Sequence, residues 1–149
     1  MATLSEYLSE SINPILTEIF SEDKFVFLSQ TYDEAHFGNA IADYEHKNFR
    51  IRVIRDRGQL FIEIAPKDNS GAWYWLPRLF EYLNLAEELE FIEHDLPCMR
   101  RQLQFLSYHV DQVKEIFENF DTVKFDLDKF EQKKGNEILD KLMRQSKAK

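Results

Sequence analysis

The residue with the most chemical potential is Cys98, the only cysteine among 149 residues. It falls in the first turn of an expected helix, just before Arg100 and Arg101. A helix N-terminus and two cations both favour the thiolate, the nucleophilic form. Burial as a small apolar side chain is the competing explanation, and the commoner fate of such a residue. The sequence assigns it no histidine or asparagine partner. His36, His46, His94 and His109 are scattered, and none forms the i, i+4 pair of a zinc-protease helix. The nearest metal-ligand grouping is His94, Asp95 and Cys98, which Pro97 divides at a helix start; one cysteine cannot build a structural zinc site. No G-x-S-x-G, Walker A or G-x-G-x-x-G pattern occurs, and four glycines leave little for a phosphate-cradling loop. Carboxylates are so abundant that pairs of them discriminate nothing. The expectation is no catalytic residue, no metal and no cofactor, and the balance leans away from an enzyme without deciding it.

Binding chemistry is easier to find. Arg50, Arg52, Arg55 and Arg57 form the one dense basic run, but Asp43, Asp56 and Glu63 surround it in the expected sheet. With 19 basic against 27 acidic side chains the net charge is −8, which argues against nucleic acid and anionic membrane as partners. The stretch Leu85 to Asp95 holds Glu87, Glu88, Glu90, Glu93 and Asp95. Such a run is ordinarily one solvated helix face, and it is also the strongest acidic patch for a basic partner. The opening MATLSEYLSE lacks the basic and apolar regions of a signal peptide, and no apolar run approaches the roughly 20 residues of a membrane helix. A lone cysteine suits a reducing compartment, so the cytoplasm is expected.

These residues need a scaffold, and the stretch Phe37 to Pro66 supplies it. It reads as three consecutive antiparallel strands, preceded by a strand over Lys24 to Thr31. Placing the second hairpin on a four-residue loop, Arg55 to Gly58, pairs Ile54 with Gln59. Phe49, Ile51 and Val53 then share a face with Leu60, Ile62 and Ile64, whereas a one-residue slip would exchange the faces. The same reasoning pairs Tyr44 with Phe49 and adds Ala40, Ala42 and Tyr44 to the buried side. The other face should carry two rows, Asp43-Arg50-Glu63 and Ile41-Arg52-Phe61. Opposed charges of this kind are worth about 0.2–1 kcal/mol each. That face is either solvated and held by ion pairs or a recognition surface.

Around the sheet the pattern is helical. Thr3 and Glu6 make a capping box for a helix on Leu4, Tyr7, Leu8 and Ile12, interrupted or kinked at Pro14 and continuing to about Phe20. Leu76 to Leu83 is helical with Pro77 in its first turn, and Trp73 and Trp75 before it are expected to pack on the sheet. Leu96, Met99, Leu103, Leu106, Val110, Val113 and Phe117 recur at three and four, predicting one long core helix. Thr122 to Leu127 fits strand or helix; helix is preferred, continuing to Met143, with a tail fraying from Gln145.

The segment FRIRVIRDRGQLFIEIAP, with W-Y-W-L and L-x-x-L-F-E-Y-L after it, resembles small uncharacterised bacterial proteins that carry an R-D-R-G-Q hairpin between helical ends. Within that group the chain is most similar to immunity proteins of bacterial toxin systems. The resemblance implies a protein that neutralises a toxin, and carries over no catalytic residue.

The expected architecture is a single α+β domain over residues 1–149: a four-stranded antiparallel meander with N-terminal and C-terminal helices packed on one face. The expected function is non-catalytic binding of another protein, a basic one, through Arg50, Arg52, Phe61, Glu63, Glu87, Glu88, Glu90 and Glu93. The alternative is a small-molecule-binding or enzymatic domain with a pocket near Trp73, Trp75 and Cys98. Homodimerisation through a sheet edge or the long helix is compatible with either.

Overall fold

A computed structural model describes residues 8–21, 24–33, 39–68 and 72–147 of the chain. The Thr3–Glu6 capping box and His36 lie outside the described residues. Contacts group the chain into two compact units, Met1–Glu118 and Asn119–Lys149.

The first unit is α+β. Helix α1 (Leu8–Ile19) leads into strands β1 (Val26–Asp33), β2 (Asn39–Glu45), β3 (Phe49–Asp56) and β4 (Gln59–Pro66). A two-residue strand β5 (Tyr74–Trp75) follows, then helices α2 (Leu76–Tyr82), α3 (Leu96–Tyr108) and α4 (Val110–Glu118). The strands form one antiparallel meander in the order β1-β2-β3-β4-β5. The sheet therefore has five strands rather than four. Two residues are too short to show alternation, so β5 leaves no periodic trace in the sequence.

Residue parity places the faces as expected. Ala40, Ala42, Tyr44, Phe49, Ile51, Val53, Leu60, Ile62 and Ile64 are all buried. Against them α1 sets Leu8, Ile12, Ile15 and Leu16, and α3 sets Met99, Leu103 and Leu106. The tie to α1 includes a 2.6 Å hydrogen bond from the Tyr44 hydroxyl to Asn13 Oδ1. Arg100 Nη2 joins α3 to Glu18 of α1 at 2.6 Å and holds that carboxyl below its ordinary range.

The pairing within the face differs from expectation. Tyr44 lies opposite Ile51, not Phe49, and Ile54 opposite Phe61, not Gln59. The β3–β4 connection is a two-residue turn, Arg57-Gly58, with φ of 53° and 83°. Positive φ at both central residues is the hairpin geometry that matches strand twist. Gly58 adopts it at no steric cost, while Arg57 is held there by its N–H donating to Asn39 Oδ1 at 2.9 Å. Each hairpin thus slips by two residues relative to the expected register. A two-residue slip keeps every side chain on its face and changes only its neighbours.

Two helical expectations also change. Leu85 to Asp95 is not a helix: α2 ends in a Schellman-type cap, with Leu85 N–H donating to Phe80 O at 2.9 Å and Asn84 N–H to Glu81 O at 3.0 Å, Asn84 at φ 58°. Only a 3₁₀ turn, Glu88–Phe91, follows. The expected long helix is two, broken at His109, whose N–H is shared between Phe105 O (3.2 Å) and Leu106 O (3.1 Å). The break re-aims the apolar stripe so that Phe117 reaches the Phe49 ring, 6.3 Å centroid to centroid. That stripe is spent on the core: Met99, Leu103, Leu106, Val113 and Phe117 are buried.

The second unit contains helix α5 (Phe120–Lys147), so Thr122 to Leu127 is helix. Its surface is tied by ion pairs Lys124–Asp128 (2.6 Å) and Lys134–Glu137 (3.8 Å), and Ile138, Leu139, Leu142 and Met143 are exposed. No helix among the described residues is long and apolar enough to cross a membrane.

Burial pushes the Tyr44 phenol well above its usual range near pH 10, because the phenolate would lose its hydration beneath α1. A folded-state value above the unfolded one contributes stability that is complete below about pH 10 and is lost as pH rises further. Circular dichroism across pH 9–12 should show alkaline unfolding that Tyr44→Phe delays, although the variant loses the Asn13 bond at neutral pH.

Candidate functional site: the outer face of the sheet

The face opposite the helices is built by the same alternation. One row crosses four strands: Asp43, Arg52, Glu63 and Trp75 are register partners in β2, β3, β4 and β5. A second row holds Ile41, Ile54 and Phe61. The expected rows, Asp43-Arg50-Glu63 and Ile41-Arg52-Phe61, have exchanged their arginine for a neighbour. Arg50 lies opposite Glu45 instead and donates to it from Nε at 3.1 Å, with Lys67 Nζ 3.7 Å from the same carboxylate. The absence of both acids beside Arg50 rules out the four-residue loop.

Arg52 is the fixed centre of the face. It donates from Nε to Asp43 Oδ1 at 2.8 Å and from Nη2 to Asp43 Oδ2 at 3.2 Å, a two-pronged pair of the kind guanidinium geometry favours. Its Cζ stands 4.2 Å from the Trp73 ring centroid, a cation–π distance. The Asp43 hydrogen bond, with the Asp43 and Glu63 charges, pushes the Arg52 guanidinium still further above its ordinary range. It is a permanent cation.

Beside this centre lies a cleft of about 370 Å³, lined by Ile54, Asp56, Phe61, Glu63, Trp75 and His94. Its third wall comes from the segment after the 3₁₀ turn. His94 adopts φ 51°, and its carbonyl accepts the Leu60 N–H at 2.8 Å, so the loop continues the β4 edge where β5 stops. Asp95 then caps α3 by accepting the Cys98 N–H at 2.8 Å. The His94 ring is thereby brought 4.6 Å from Phe61 and 6.0 Å from Trp75. Trp75 Nε1 and His94 Nδ1 are buried atoms that find no hydrogen-bond partner among the described residues.

Of the expected partner-binding residues, Arg52, Phe61 and Glu63 come together here, while Arg50 sits one row away. Glu87, Glu90 and Glu93 are exposed on the loop that ends at His94; Glu88 lies in the 3₁₀ turn, and its side chain is outside the described residues. The residues named for the alternative pocket fall in different places. Trp73 takes Arg52 and Trp75 takes the cleft, but Cys98 is fully buried on α3, within 3.6 Å of Gln102 Nε2, and lines neither this cleft nor the second cavity. That second cavity, about 290 Å³, lies by α1 and includes Asn13, Phe20, Phe25, Phe27 and Tyr44. Sequence reasoning missed His94 as a wall. Its only available signal was Asp95-Leu96-Pro97, which reads as a helix start and so ends the preceding segment at His94. No group of three His, Cys, Asp or Glu side chains among the described residues is placed to hold a metal ion.

The site thus defines a class, an α+β domain presenting a charged, aromatic sheet face. Compared with known proteins, the chain matches no family profile, no curated protein and no solved structure.

Proposed function

We propose that this chain is a non-catalytic protein-binding module that meets a basic partner through its outer sheet face and the acidic loop beside it. The observation that carries the reading is the combination on one face of half-buried Phe61, Trp73 and Trp75 with fixed charges. Tryptophan and arginine are among the side chains that most often dominate binding energy, and Arg52 is already held in place by Asp43. The exposed Glu87, Glu90 and Glu93 give the rim a negative field, in keeping with the net charge of −8. The resemblance of the R-D-R-G-Q hairpin to immunity proteins makes a bacterial toxin with a basic active site the most concrete partner. Neutralisation would then be steric and electrostatic, by covering that site.

The test is affinity measurement against the partner isolated by cross-linking in the native strain. Glu90→Lys with Glu93→Lys should weaken binding by about tenfold or more and reduce its salt dependence. A partner bound equally well after both reversals, or one with no basic surface, would overturn the reading.

A further inference from the structure

The geometry points to a specific occupant for the cleft at Ile54, Asp56, Phe61, Glu63, Trp75 and His94: we propose that it receives an arginine side chain of the partner protein. The inference deepens the proposed function and rests on it. Its motive is a chemical repetition on one sheet face. At Arg52 the chain shows how this face holds a guanidinium, over an indole with Cζ 4.2 Å from the ring centroid and pinned by the Asp43 carboxylate at 2.8 and 3.2 Å. The adjacent cleft offers the same two elements again. Trp75, Phe61 and His94 supply ring surface, and Asp56 and Glu63 supply carboxylates. Its lining includes no lysine or arginine. Glu63 already shares its field with Arg52 across the β3–β4 pair, so Asp56 is the carboxylate assigned to the incoming cation. Asp56 makes no ion pair among the described residues, and its side chain is exposed at the end of β3, beside the turn.

Size and charge agree with that occupant. About 370 Å³ is at the small end for ligand cavities, suited to one side chain rather than a cofactor. An anionic ligand would face two carboxylates in a chain of net charge −8. A planar guanidinium stacks on aromatic faces and bonds a carboxylate with two donors at once, which an ammonium cannot do. Arg78 stands 5.5 Å from the Trp75 ring centroid and lies outside the cleft lining, so the cleft side of the indole is left to Phe61 and His94.

The experiment titrates the full chain with N-acetyl-arginine methylamide while following the two indole N–H resonances by NMR, assigned with Trp73→Phe. The expected result is saturable movement of the Trp75 resonance, with a dissociation constant on the order of millimolar for so small a ligand. The neutral citrulline analogue should bind about tenfold more weakly, and Asp56→Asn should weaken the arginine probe by a similar factor. The lysine analogue should bind less well than arginine. Equal binding of citrulline, an unmoved Trp75 resonance, or indifference to Asp56→Asn would each overturn the inference. Failure of the probe with partner affinity still sensitive to the acidic loop would remove this inference alone. Probe binding in the cleft, with a partner indifferent to Glu90 and Glu93, would remove the proposed function instead.

Discussion

Phe49→Ala should destabilise the first unit by about 3–5 kcal/mol, the range for deleting a fully buried phenylalanine. Phe49 has no solvent-exposed surface and stands where three structures meet. Its ring stacks on His46 at 4.4 Å and 15°, touches Phe25 at 5.9 Å and receives Phe117 of α4 at 6.3 Å. Its carbonyl also accepts the His46 N–H at 2.8 Å and so closes the β2–β3 connection. The substitution keeps that backbone bond, so the loss isolates the ring. A domain has only about 5–15 kcal/mol in total, and such a loss would take a large share of it. Urea unfolding followed by circular dichroism is the measurement. Phe61→Ala, one strand away but on the half-exposed outer face, is the control and should cost about 1 kcal/mol. Equal costs for the two would mean that the sheet does not bury one face as described.

The same two faces show what could be read in the sequence. Alternation has a period of two, so it assigns each residue to a face and is blind to a slip of two. Ala42, Tyr44, Ile51, Val53, Ile62 and Ile64 were therefore legible as core. Their partners were not, because the decision lay in the turn. Asn-Gly or Asp-Gly is the strong sign of a two-residue hairpin, and Arg57-Gly58 hides it. What holds Arg57 in the left-handed region is Asn39, 18 residues earlier, a contact no local rule contains. The acidic run was misread for a similar reason. Its composition suits a helix, while Asn84 and His94, both at positive φ, end and redirect the chain at either side. Arg52, Phe61 and Glu63 could be assigned to one surface by parity alone. The cleft could not, since His94 enters it only through a bond to Leu60, 34 residues away in sequence.

Arg52→Leu should cost about 2 kcal/mol, while Arg50→Leu should cost about 0.5 kcal/mol, although both arginines are half-buried on adjacent rows. Arg52 makes two hydrogen bonds to one carboxylate and covers an indole, so its removal strands Asp43 and uncovers Trp73 together. A hydrogen bond between charged groups is worth about 1.5–3 kcal/mol when shielded, and solvent reaching this half-exposed pair discounts the two bonds and the cation–π contact to about 2 kcal/mol together. Arg50 makes one bond to Glu45, and Lys67 stands 3.7 Å from that carboxylate, ready to take over as its counter-ion. The expected register would reverse the order, because there Arg50 sits between two acids and Arg52 between two apolar residues. A double-mutant cycle decides it: Asp43 should couple to Arg52 by about 1 kcal/mol or more and to Arg50 by nothing measurable. Strong coupling of Asp43 to Arg50 would refute the observed row. It would also remove the ground for an arginine in the neighbouring cleft, whose pattern is the Arg52–Asp43–Trp73 arrangement.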